Sequence, residues 1–154
     1  TLREKIIEQV GVIGEKVEVA DYQKMEAPQV VSYIHMGNKA GVILGLSQDG
    51  IDVSAGRDVA MQVAAMHPVA VDKDGVDSSI VEKEIEIGMD IARQEGKPEA
   101  MLEKIAMGKL NKFFKERTLL NQAFVKNNKQ NITQYLDSVS SGLTVTDFKH
   151  VKLG

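Results

Sequence analysis

Residues 33–46, YIHMGNKAGVILGL, set Gly37-Asn38-Lys39 between two runs of aliphatic and β-branched side chains. A parallel neighbour needs a long crossover, so a link this short forces residues 30–36 and 42–46 into an antiparallel hairpin. Gly and Asn supply the positive φ angles that tight turns demand. Gly37 and Gly41 stand four apart, as in a phosphate-cradling loop, but no Gly-Lys-Ser/Thr string follows and no helix opens behind them. A phosphate loop relies on that helix N-terminus to hold the anion, so the segment reads as a turn.

Around this hairpin the periodicity changes several times. Apolar residues at 2, 6, 7 and 10 predict a helix over residues 2–10, stopped by Gly11 and Gly14. Residues 15–19 alternate, Val17 and Val19 against Lys16 and Glu18, which predicts a strand. Gln48-Asp49-Gly50 reads as a turn, residues 57–66 as a helix ended by His67-Pro68, and Asp72-Lys73-Asp74-Gly75 as a turn after the short run 69–71.

In the middle, Ser79 and Glu82 have the spacing of a capping box, and Val81, Ile85, Gly88, Met89 and Ala92 share one helical face. Gly96 fits a helix C-cap and Pro98 the first position of a second helix. That second helix carries a stripe through Met101 or Leu102, Ile105, Met107 and Leu110 to Phe113 or Phe114. Two apolar stripes joined by Gly-Lys-Pro make an antiparallel helical hairpin packed mainly on itself. The remainder predicts a strand over 123–126, a helix over 132–138 and an alternating strand over 143–153, an order that loosely echoes the first part in structure though not in sequence. The expected fold is α+β: two small antiparallel-sheet lobes with packed helices, residues 1–76 and 118–154, joined by a protruding antiparallel helical hairpin over 77–117.

Composition narrows the chemistry. With 154 residues, 43% of them hydrophobic, the chain can bury a core without staples. A formal charge of −3 speaks against direct binding of nucleic acid, which needs a basic face. No apolar run approaches the ~20 residues of a membrane-spanning helix. The absence of cysteine removes thiolate chemistry and cysteine-rich zinc sites and fits a cytoplasmic setting. His35, His67 and His150 fall on different predicted elements without metal-ligand spacing, and His67 reads as a helix end meeting the last carbonyls. Glu82, Glu84, Glu86 and Asp90, interspersed with Lys83 and Arg93, describe a solvated helix face. The seven methionines read as core filler, except Met36 at the hairpin tip. No catalytic residue, cofactor or metal is expected, and the residues by themselves describe a binding or scaffold protein.

The order of the segments KIIEQVGVIGEKVEV, YIHMGNKAGVILGL, DVAMQVAAMHPVAV and VEKEIEIGMDIARQEGKPEAMLEKIAMGKLNKFFKERTLLNQAFV resembles the bacterial elongation factor Ts family. Its most specific parts are the Val-Glu-Lys-Glu helix, the Gly-Lys-Pro link and the Leu-x-x-Gln-x-Phe-Val exit. The resemblance implies a guanine-nucleotide exchange factor in translation that binds the GTPase elongation factor Tu and releases GDP by disturbing its magnesium and phosphate contacts. The alternative is a structural module in which the helical hairpin serves as a homodimer contact. The family also has a small N-terminal helical domain and a linker bearing Thr-Asp-Phe. The chain opens on Thr1 rather than Met, and the resemblance covers the core and the hairpin, so a fragment of a longer protein is expected. Thr146-Asp147-Phe148 sits in a predicted strand near the other end and takes no role from that linker motif.

By the same resemblance the partner-binding residues are His35, Gly37, Asn38, Lys39, Ala40, Gly41 and Val42 on the hairpin. Ala40 replaces a larger aliphatic residue, which weakens the expected contact there. Gln62, in AMQVAA, takes the place of a histidine on a helix that faces the GTPase, and Phe124, Val125 and Lys126 form the exit loop.

Overall fold

A computed structural model describes residues 1–35 and 37–153; Met36, the expected exception among the methionines, lies outside them. The hairpin forms as its turn chemistry requires: β1 (Gln29–Ile34) pairs antiparallel with β2 (Ala40–Leu46), Gln29 opposite Leu46 and Ile34 opposite Gly41. A third strand, numbered β5 in chain order (Val145–Lys152), pairs antiparallel with the other edge of β2, giving the order β1-β2-β5. Alternation along these strands turns Val31, Val42, Leu44 and Val145 to one buried face.

Helix α2 (Val53–Met66) lies on that face. It begins four residues before the expected start because Asp52 caps it, its side chain accepting from the Ser54 amide at 2.8 Å. A Cβ at Gly56 would stand 2.6 Å from Val31 Cγ2, so glycine is what allows helix and strand to approach there. Asn131 and Gln134 form a reciprocal capping box for α5 (Ile132–Val139), which supplies Ile132 and Leu136 to the interior. One continuous core takes Val59 and Val63 of α2, the sheet residues, Leu119, Phe124, Ile132, Leu136 and Leu143. The 1–76 and 118–154 segments therefore share one sheet and one core. Each fully buried aliphatic side chain contributes about 1.5–3 kcal/mol to holding it.

The intervening hairpin consists of α3 (Ser78–Gln94) and α4 (Glu99–Arg117), packed chiefly on each other through Gly88, Ala92, Leu102, Ala106 and Leu110. Gly88 sits against the opposite backbone, where a Cβ would lie 3.0 Å from Ala106 Cα. The link is a Schellman turn: Gly96 has φ 73°, Lys97 N–H donates to Ala92 O and Gly96 N–H to Arg93 O, both at 3.0 Å. At the root, the run 69–71 bonds to the end of α4, Val69 N–H to Arg117 O at 2.8 Å and Leu119 N–H to Ala70 O at 3.0 Å.

Several local expectations are corrected. The cap of α3 is Asp77, whose carboxylate accepts from both the Ser79 amide and the Ser79 hydroxyl; the Ser79–Glu82 box does not form because a charged acceptor two residues earlier takes the amide. Pro98 is the N-cap of α4 rather than its first helical residue. Helix α1 runs Leu2–Ile13 through Gly11 and ends at Gly14, φ 75°. Residues 15–19 form no strand, since alternation specifies one only where a neighbour offers a ladder, and none does there. None of the six described methionines is fully buried, the interior positions being taken by Leu, Val, Ile and Ala. The predicted strand over 123–126 is instead β3 (Ala123–Phe124), a turn at Val125 and Lys126, and β4 (Asn127–Asn131), paired antiparallel as a second small sheet.

Candidate functional site

In the β1–β2 connection Gly37, Asn38 and Lys39 are exposed. Gly37 has φ 83° and Asn38 φ 55°, the two positive values that the Gly-Asn pair was expected to supply. The turn closes with Asn38 N–H on His35 O at 3.0 Å and His35 N–H on Ala40 O at 2.9 Å. The residue that follows β5 braces it: Leu153 N–H donates to Lys39 O at 2.8 Å. His35, Gly37, Asn38 and Lys39 are exposed, Ala40 and Gly41 are half-buried, and Val42 is buried in the core. Val42 therefore anchors the hairpin from inside rather than offering a contact. His35 is steadied by Tyr33, whose hydroxyl lies 3.2 Å from its Nδ1.

Beside the turn lies an open apolar groove of about 420 Å³ lined by Ile34, Asn38, Lys39, Ala40, Gly41, Val151 and Leu153. Its floor is shallow because Ala40 and Gly41 bring little side chain, so another surface could approach the β2 backbone closely. Lys39 places a cation at the rim. Val151 and Leu153 belong to the site but were not singled out in the sequence; they enter because β5 returns beside β2, a pairing that local pattern does not encode.

The second group of expected residues occupies the β3–β4 turn. Phe124 is buried and stacks on Tyr135 with centroids 4.3 Å apart, while Val125 is exposed. Lys126 pairs with Asp58 of α2, which also accepts from the Tyr135 hydroxyl. Burial is the main cause that raises the Tyr135 phenol above its ordinary value, with the Asp58 charge adding to it. Gln62 lies behind this turn rather than on the surface, with no exposed area. Its amide is consumed internally: Oε1 accepts from Val125 N–H at 2.9 Å, and Nε2 donates to Ala123 O and Gln122 Oε1, both at 3.1 Å. Of the expected contacts, then, His35 and 37–41 form one surface, Val125 and Lys126 a second, and Val42, Gln62 and Phe124 are supports beneath them. Helix α2 links the two, holding the second turn through Asp58 and Gln62 and reaching β5 through His67.

His67 and His150, which the sequence leaves apart, meet with Nδ1 atoms 3.4 Å from each other. His67 is the C-cap of α2 with φ 46° and its N–H on Val63 O, so its ring is turned to β5. Burial, then the neighbouring His67 and Lys152, lower the pKa of His150 below the ordinary histidine value. Among the described residues no three His, Asp or Glu side chains are grouped to hold a metal ion.

The whole chain, residues 1–154, matches the family model described as elongation factor TS. The chain belongs to the elongation factor Ts family. It is 59% identical over 155 residues to elongation factor Ts of Cytophaga hutchinsonii, covering 99% of this chain and 56% of that protein. Elongation factors Ts of Christiangramia forsetii and Amoebophilus asiaticus are 51% and 52% identical, each over 156 residues and all of this chain, and 57% and 56% of their own lengths. The chain thus spans little more than half the length of the elongation factor Ts relatives it matches.

Proposed function

We propose that this chain acts in translation elongation in the cytoplasm, as a guanine-nucleotide exchange factor that binds elongation factor Tu. Membership of the elongation factor Ts family supports the partner. The observation that carries the mechanism is the exposed turn at Gly37–Lys39 beside a groove floored by Ala40 and Gly41, a surface able to press backbone and apolar side chains against another protein. Exchange then needs no covalent chemistry. A protein that binds the nucleotide-free GTPase more tightly than its GDP form must weaken GDP by the same factor, and the hairpin supplies that difference by disturbing the magnesium and phosphate contacts.

Gly41→Leu tests this reading. The added Cβ would meet Ile34 Cδ1 at 3.3 Å, a flexible terminus that can turn away, and the Tyr33 carbonyl oxygen only at an ordinary contact distance of 4.0 Å, so the fold survives while the groove is filled. Stimulated release of labelled GDP should slow with the melting temperature unchanged; normal release would overturn the role given to the hairpin.

A second reading, self-association, is favoured by Ile80, Ile87 and Ile91, which lie exposed along one side of α3. Sedimentation or size-exclusion chromatography, with and without elongation factor Tu, separates the two. A heterocomplex dissociated by GDP supports exchange, and a homodimer indifferent to the GTPase supports the scaffold.

A further inference from the structure

The geometry points to Gln62 as a positioning residue that sets the Val125–Lys126 turn for partner binding without touching the partner. The inference rests on the proposed function, in which that turn is a contact surface.

Three observations carry it. First, Gln62 is a polar side chain with no exposed area in the middle of α2, where its neighbours Val59, Ala60 and Val63 are all core residues. An amide there costs free energy unless every polar group is paired, so the groups that pair it show what it holds. Second, its bonds converge on one object. Oε1 takes the Val125 amide and Nε2 the Ala123 carbonyl, one on each side of buried Phe124, so a single side chain grips the backbone leading into the turn. Third, the grip is itself held. Gln122 Oε1 accepts from Gln62 Nε2 at 3.1 Å, and Gln122 Nε2 donates to Glu116 O at 3.0 Å, so the amide plane cannot rotate without breaking a chain that runs to the end of α4.

A two-residue turn in an isolated two-stranded ribbon is marginal in water. Here β3 and β4 pair with a register shift between Ala123 and Phe124, which interrupts the ladder at that point. Gln62 supplies side-chain partners where the backbone ladder is irregular. Asp58, one helical turn earlier, holds Lys126 from the same helix. The exposed side chains of Val125 and Lys126 thus inherit their placement from α2, and a rigid presentation reduces the ordering cost of association.

The test is Gln62→Met, which keeps side-chain length and removes every hydrogen bond, compared with Gln62→His, whose neutral ring retains one donor and one acceptor. Two readouts are taken on the 154-residue chain: amide hydrogen exchange, and affinity for nucleotide-free elongation factor Tu. With Gln62→Met, the Val125 amide should exchange about tenfold faster while Val59 and Val63 keep their protection. Affinity should fall several-fold and recover in large part with Gln62→His. In a Val125→Ala/Lys126→Ala background, Gln62→Met should cause no further loss, since the groups it positions are gone. Equal losses with and without that background would make Gln62 merely structural and overturn the inference. Faster Val125 exchange with unchanged affinity would also overturn it and leave the proposed function standing. No binding by the unsubstituted chain would overturn the proposed function and the inference with it. Should Gln62→Met fail to fold, the unsubstituted chain still decides: a Val125 amide that exchanges as fast as that of Lys126, which Gln62 does not hold, shows that the clamp is absent and overturns the inference.

Discussion

The imidazoles of His67 and His150 lie within 17° of parallel with their Nδ1 atoms 3.4 Å apart, joining the C-terminal end of α2 to β5. One of the two facing nitrogens can carry a proton toward the other; two imidazolium rings at this distance repel. Burial opposes charge on His150 first, and His67 and Lys152 add to that opposition, so its folded pKa lies below the ordinary 6.5. A histidine with a lowered pKa leaves the unfolded chain binding more protons. Stability is therefore full above about 6.5, falls as pH drops through that value, and levels off below the folded pKa. Urea midpoints between pH 7.5 and 5 should show this slope, and His150→Phe should remove that part of it; identical slopes would show that His150 does not supply the pH dependence.

Gly88→Val should loosen the helical hairpin. A Cβ at Gly88 meets Ala106 Cα at 3.0 Å and Ala106 Cβ at 3.1 Å, and backbone cannot turn away as a side-chain end can. Overpacking of this kind costs about 1–3 kcal/mol, and in a chain of this size each kcal/mol lowers the melting temperature by about 2–4 °C. Calorimetry, with hydrogen exchange in α3 and α4, checks both the size of the effect and its location. An unchanged melting temperature would mean that the helices separate freely.

Features encoded by neighbouring residues are legible in the sequence, and pairings between distant segments are not. The β1–β2 hairpin and the Gly96 turn were legible because their own residues fix the backbone: Gly37 and Asn38, then Gly96, adopt the positive φ angles that their types favour. The strand expected over 15–19 failed because a strand is a property of a pair. The return of β5 to β2, which adds Val151 and Leu153 to the groove, is a pairing across about a hundred residues with no local mark. Gln62, expected on a helix face turned to the GTPase, is buried. Its helix periodicity puts it among Val59 and Val63, and a polar residue on such a face is buried if the fold supplies partners, which here come from the β3–β4 turn.

Gly45→Val should free the segment that crosses the outer face of the sheet. A Cβ at Gly45 would lie 2.5 Å from Thr146 Oγ1, 2.9 Å from Ala27 Cβ and 3.1 Å from Met25 Sδ. The strand cannot move, because its opposite face carries Leu44 and Leu46 into the core. The chain around Met25 must yield instead. Limited trypsin digestion should then cut faster after Lys24 than in the unsubstituted protein, with the sheet intact by circular dichroism. Unchanged cleavage would show that this segment does not depend on the glycine.

Asp58→Asn separates stability from presentation at the second turn. Asp58 holds Lys126 and accepts from the Tyr135 hydroxyl at 3.3 Å. The asparagine oxygen still accepts from Tyr135, whereas the charge that draws in the ammonium is lost. Because the Lys126 side chain is half exposed, water replaces the ion pair at little cost, so unfolding free energy should change by less than about 1 kcal/mol. Placement of Lys126 should change more, since a cation released from Asp58 samples many rotamers before it can meet an acidic partner surface. Affinity for elongation factor Tu should then fall while the melting temperature holds, and the loss should shrink as salt screens the contact. A parallel loss of stability and affinity would instead mean that Asp58 matters to the fold, and an unchanged affinity that Lys126 is not presented to the partner.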